Sequence, residues 1–161
     1  IITNANSTTG PGIRVTTNGS NGTALTIQVE SNNVSQIGNR GIEMINRDGN
    51  SVLNATVRSN TVNLTDPLAA DGIRIDAGAV STDTTTICAD VAQNTSTTVG
   101  GVFGIRVRQR FSTTYRLESY GGLATDMTAV QNFLSSQNNG ASVLADFAGS
   151  GFQNSGACPA P

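Results

Sequence analysis

Residues 53–62 read LNATVRSNTV. Leu53, Ala55 and Val57 alternate with Asn54, Thr56 and Arg58, the two-residue period of a strand with one buried face. Asn60 follows three residues after Val57. The same element recurs upstream as LTIQVESNNV from Leu25 and downstream as ICADVAQNTS from Ile87, at intervals of 28 and 34 residues. Asn32 and Asn94 stand at the same offset from Val29 and Val91. A second short element interleaves with the first: GIRV from Gly12, GIEM from Gly41, GIRI from Gly72 and GIRV from Gly104, spaced by 29, 31 and 32 residues. Two elements repeating in one order at a common period near 30 identify a repeat protein.

Strands this short bury too little alone, and nothing between them reads as a crossover helix. Stacking equivalent strands from successive turns, about 4.8 Å apart, makes each apolar column one wall of a shared core. The expected fold is therefore all-β, a right-handed parallel β-helix of about four turns with a C-terminal cap that contains one α-helix. Asn32, Asn60 and Asn94 fall in register and predict a side-chain hydrogen-bond ladder. Outward positions predict charge pairing as well, with Glu43 between Arg14 and Arg74 and Glu30 beside Arg58. Such exposed pairs contribute about 0–1 kcal/mol each.

The G-I-x-V and V-x-S-N-x-V elements resemble the right-handed parallel β-helix repeats of the pectate-lyase-like superfamily, over residues 1 to about 108. The segment GIRVRQRFSTTYRLESYGG with its Cys-containing tail is similar to the C-terminal end of large secreted bacterial β-helix surface proteins. The first resemblance implies the fold. It also raises polysaccharide lyases and glycosidases, which in that superfamily use Ca²⁺-binding carboxylates with an Arg or Lys base, or Asp pairs with a His.

Composition restricts that chemistry. The 161 residues include no His, Lys or Trp, nine Arg against eleven acids, and a net charge of -2. Absent His removes Ser-His-Asp catalysis, His-ligated zinc and an imidazole base. Absent Lys removes a Schiff base and a P-loop lysine. The mild acidity argues against a nucleic-acid partner. No apolar run is long enough to span a membrane, and no signal peptide is recognisable. Thr, Ser and Asn make up 53 residues, a third of the chain, which by itself suggests disorder; the periodicity argues against it.

All seven aromatics follow residue 102, and the repeat fails near 110. We expect residues 1–110 to form coils and residues 111–161 to form a cap over the last turn. Thr125 to Asn138 reads as the helix, capped by Thr125 or Asp126, with an apolar stripe of Met127, Val130, Phe133 and Leu134. Val143, Ala145 and Phe147 alternate as a strand. Cys88 and Cys158 are two free thiols if the chain is cytosolic, and a tail-pinning disulfide in the extracellular setting that this Thr/Ser/Asn-rich composition favours. The opening IITNAN reads as a strand already in mid-turn. Either residues 1–161 are the C-terminal part of a longer β-helix, or the open end receives another copy.

Arg106, Arg108 and Arg110 alternate along one face and form the candidate site for anionic glycans, with Tyr115 to stack on a sugar, although packing within the cap is the default for an aromatic at that place. The alternative is a solvated face paired with Glu118 or with acids of the cap. Asp66, Asp71 and Asp76 around Arg74 are the candidate lyase group, although a carboxylate pair assembled across turns would leave no local signature. We expect no metal and no cofactor. The resulting expectation is a secreted, non-enzymatic structural or adhesive module at the cell surface, binding glycans or assembling end to end. A polysaccharide-active enzyme is the alternative.

Overall fold

The computed structural model describes residues 2–7, 10–19, 22–99 and 102–161, with side chains outside the description at 2–7, 36 and 37. Strand β1 (Ile2–Ser7) leads into a first coil of β2 (Ile13–Asn18), β3 (Ala24–Glu30) and β4 (Asn33–Ile37). The second coil is β5 (Ile42–Arg47), β6 (Val52–Arg58) and β7 (Thr61–Leu64); the third is β8 (Ile73–Ala77), β9 (Thr86–Ala92) and β10 (Thr95–Thr98). A fourth round begins with β11 (Ile105–Gln109) and β12 (Thr114–Glu118), then substitutes helix α1 (Met127–Gln137) for a third strand. Strands β13 (Val143–Phe147) and β14 (Phe152–Ser155) close the chain.

Every strand pairing is parallel. Sheet 1 runs β1-β4-β7-β10, sheet 2 runs β2-β5-β8-β11-β13 and sheet 3 runs β3-β6-β9-β12-β14. The chain is thus a parallel β-solenoid with three complete three-stranded coils, where the repeat count suggested about four. The difference arises because α1 takes the place of the fourth coil's third strand. Residues beyond 110 add to the coils as well as covering them: β13 lies on β11 and β14 on β12, both in register.

The two repeated elements are the strands of sheets 2 and 3. Register stacks Ile13, Ile42, Ile73 and Ile105 in one column, and Leu25, Leu53, Ile87, Tyr115 and Phe152 in another. From Ile42 onward both columns are fully buried. Gly72 precedes its column because a Cβ there would sit 2.6 Å from the Gly104 carbonyl oxygen of the next coil.

The corner between sheets 3 and 1 is built by the asparagines. Asn60 Nδ2 donates to Val29 O at 2.7 Å and to Asn94 Oδ1 at 3.0 Å, while Asn60 N also donates to that Oδ1. Asn32 repeats the pattern on Asn60. The residue before each rung (Ser31, Ser59, Gln93) has left-handed backbone with φ between 55° and 60°. The side chain then satisfies backbone groups that the sharp turn removes from the sheets. A fourth rung, Asn138, accepts from Asn94 N at 3.1 Å and from Asn94 Nδ2 at 2.8 Å. It is the C-cap of α1, so the helix hands the chain back to the ladder. Asp126 caps the other end, accepting from Ala129 N at 3.0 Å. Val130 and Leu134 are buried against the coils.

Candidate functional site

Sheet 2 carries the densest charge on its outward face. Arg14, Glu43, Arg74 and Arg106 form one column; Asp76, Arg108 and Asp146 form the next. Asp71 lies two residues before β8. Six of these side chains close a ring of alternating sign. Arg74 Nη2 lies 2.6 Å from Asp76 Oδ2, Asp76 3.7 Å from Arg108, Arg108 3.1 Å from Asp146, and Asp146 2.9 Å from Arg106. Asp71 completes it, 3.9 Å from both Arg106 and Arg74. Arg14 and Arg40 hold Glu43 separately, at 3.2 and 2.8 Å.

Burial sharpens these contacts. Asp71 and Asp76 are each 3% exposed. Burial pushes the Asp71 carboxyl above its ordinary range, against the opposing pull of Arg106, Arg74 and Arg40. At Arg74 burial works against the charge, and the hydrogen bond and charge of Asp76 outweigh it, so its pKa is raised. Asp76 Oδ1 is buried with no hydrogen-bond partner among the described residues. Three arginines matched by three aspartates leave no net charge in the ring, so it fastens β8, β11 and β13 together.

The arginine stripe therefore divides. Arg106 and Arg108 are ring members whose partners include an acid of the cap segment, Asp146. Glu118, the other partner considered, lies on sheet 3. Arg110 falls beyond the end of β11, its backbone N–H donating to Ala77 O, and has no carboxylate partner among the described residues. Tyr115 is not on this surface at all. It is fully buried in the column of Leu53 and Ile87, its ring edge-on to Phe152 at 5.0 Å, so sugar stacking is ruled out by the core it fills. Its hydroxyl has no hydrogen-bond partner among the described residues, and burial drives its pKa well above the ordinary phenol.

Of the lyase candidates, Asp71, Arg74 and Asp76 do come together, whereas Asp66 caps its own turn by accepting from Leu68 N at 2.8 Å. Asp146 escaped the sequence reading. Its place opposite Asp76 depends on how many residues the α1 excursion consumes, which no repeat records.

On sheet 3, Cys88 and Cys158 are bonded, across a separation of 70 residues. The returning tail docks through Cys158 N, which donates to Glu118 Oε2 at 2.8 Å. Arg58 pairs with Asp90 and lies 3.7 Å from Glu118. Glu30 stands opposite Arg58 in register but makes no ion pair with it, because Asp90 holds the guanidinium from the other side. A groove of about 330 Å³ runs between these side chains and the tail.

The apolar positions of the first coil are less buried than those of the coils that follow. Leu25 is 37% exposed, and Ile13, Val15 and Ile27 are only partly buried. Ile1 and the side chains of β1 lie outside the described residues. Among the described residues no helix is long and apolar enough to cross a membrane, and no group of three or more Cys, Asp or Glu is placed to hold a metal ion. No family model, curated protein or solved structure matches the chain, so the assignment that stands is the architectural one, a parallel β-solenoid.

Proposed function

We propose that this chain is a non-catalytic structural or adhesive module of an extracellular surface, whose open first coil accepts the strands of a further coil. That coil comes from a longer chain or from a second copy. The observation that carries the reading is the half-exposed state of Ile13, Val15, Leu25 and Ile27, in columns that are fully buried one coil later. A disulfide pinning the tail suits an oxidising setting. The ring of Asp71, Arg74, Asp76, Arg108, Asp146 and Arg106 suits a rod, since its charges are used to bind coils to one another. Glycan contact then falls to Arg110 and to the Thr- and Asn-rich outward columns.

Sedimentation equilibrium tests the end-on contact. Concentration-dependent association that Leu25→Asp abolishes, with the fold intact, is the expected result. A strict monomer at all concentrations, together with no gain in unfolding temperature when extra coils are fused ahead of residue 1, would overturn it.

A polysaccharide-active enzyme is the second reading, favoured by the convergence of Asp71, Arg74 and Asp76. Turnover of acidic polysaccharide that is lost in Arg74→Ala would establish it in place of the first.

A further inference from the structure

Sheet 1 stops two coils before its neighbours. Sheets 2 and 3 continue through β11 and β12 to β13 and β14, whereas sheet 1 ends at β10. The cause is local. After the last ladder rung, Asn139 and Gly140 both adopt left-handed backbone, with φ of 53° and 73°. The chain then cuts straight to Ser142, whose carbonyl accepts from Ile105 N, just as Gly104 O accepts from Ile73 N one coil below. Residues 139–141 thus replace the run 95–103 of the third coil, and no strand is laid on β10.

This leaves a defined set of backbone groups. Thr95 N donates to Asn60 O at 2.8 Å and Val99 N to Leu64 O at 3.0 Å, so these residues face β7. Alternation turns the N–H and C=O of Ser96 and Thr98 the opposite way. Among the described residues no backbone group pairs with them. They border a groove of about 330 Å³, walled by Thr95–Thr98 and Val102 on one side and Asn139–Ser142 on the other. None of these side chains is charged.

We propose that this slot takes an extended, uncharged segment of a partner polypeptide as a parallel strand on β10. Ser96 and Thr98 supply donors and acceptors at the spacing of a parallel ladder, so the backbone provides the affinity. The residue of the segment that faces inward stacks on Ser96 beside Ala141 and Ser142, which calls for a small side chain. The flanking residues face outward over Thr95 and Thr97 and suit Thr, Ser or Asn. A charged residue would find no counter-charge in the lining. A second copy stacked end to end does not fit the slot. It would meet β13 and β14 two coils further along than β10, and its own three sheets would be out of step with the notch. The proposal is independent of the first coil and of the function read from it.

The test uses the intact chain and an acetylated, fluorescent peptide of sequence QNTSTTV, which repeats residues 93–99. Saturable binding is expected, with the amide exchange of Ser96 and Thr98 slowed at least about tenfold on binding. N-methylation of the peptide at the positions facing β10 should weaken binding by at least about tenfold without touching the protein. Thr98→Pro, which removes one donor from the edge, should do the same. Absence of binding, equal binding by the N-methylated peptide, or slow exchange of both amides in the free protein would each overturn the proposal. Protection that grows with protein concentration alone would overturn it in favour of a second copy.

Discussion

The column Leu25, Leu53, Ile87, Tyr115 and Phe152 runs the length of sheet 3, and its two ends meet the surroundings differently. Leu25 is 37% exposed and the rest of the column is fully buried. At the C-terminal end the column passes from Leu and Ile to the larger Tyr115 and Phe152, both fully buried, which close the core. Helix α1 adds Val130 and Leu134 to that seal. At the N-terminal end nothing equivalent stands over Leu25 or Ile27 among the described residues. A solenoid coil is stabilised chiefly by its neighbours on both sides. The comparison teaches that one strand chemistry buries its apolar face only where the next layer, coil or lid, is present.

The comparison can be broken from several directions. The largest effect should come from the disulfide, which ties the lid to the third coil. Closing a loop of 70 residues contributes about 4 kcal/mol in the chain-entropy model, so Cys88→Ser with Cys158→Ser should lower denaturant stability by about that amount. A loss confined to the unfolding of residues beyond 110, read by hydrogen exchange, would mean that lid and coils unfold separately.

Next in size is the contrast within one column. Leu53→Ala should cost about 3 kcal/mol, whereas Leu25→Ala should cost less than about 1 kcal/mol because solvent already reaches it. Equal costs in chemical denaturation would show that the first coil is sealed in solution.

The ladder offers a third contrast. Asn94→Ala strands the buried Asn60 N–H and the Val57 carbonyl and should cost about 2 kcal/mol, with Asn32→Ala, at the exposed end, costing under half as much. Tyr115→Phe should act in the other direction. It deletes a buried hydroxyl without a partner among the described residues and should raise stability by about 1 kcal/mol.

The smallest effect concerns pH. The carboxylate of Asp83 accepts from the backbone N–H groups of Gly49, Ala79 and Val80. Burial opposes the charge there, and these hydrogen bonds outweigh it, so the Asp83 pKa is lowered. Its contribution is complete above the unfolded value of about 3.9 and is lost as pH falls through the lower folded value. Asp83→Asn should flatten that acid limb in a stability–pH titration.

The inward columns and three of the four ladder rungs were legible in the sequence, because strand alternation and the corner turn are local properties repeated in each coil. Tyr115 was equally legible. It lies 28 residues after Ile87, the interval that separates Leu53 from Leu25, and alternates with Leu117. The sugar-stacking option followed residue type and set aside this register, whereas the packing default agrees with the core position that Tyr115 takes. Asn138 and Asp146 were not legible. Their partners Asn94 and Arg108 lie 44 and 38 residues away, and those separations include a helix with no counterpart in the earlier coils. Sheet 1 was hidden for another reason. Strands such as TVNL and TSTT are only four residues long, the second wholly polar, and they take their extended form from the asparagine corner and from stacking.

The Cys88–Cys158 bond also determines how the molecule bears mechanical load. A pull applied ahead of Cys88 and beyond Cys158 passes through the covalent bridge, which carries the tension past everything between residues 88 and 158. The coils ahead of Cys88 can be drawn out, and residues 1–88 fully extended span about 300 Å. Strands β10, β11 and β12 and the aromatic lid lie between the bridged cysteines and stay folded under the same force, whereas the ring parts as β8 carries Asp71, Arg74 and Asp76 away from Arg106, Arg108 and Asp146. The rod would yield up to the bridge and stop there, a strain-limited tether.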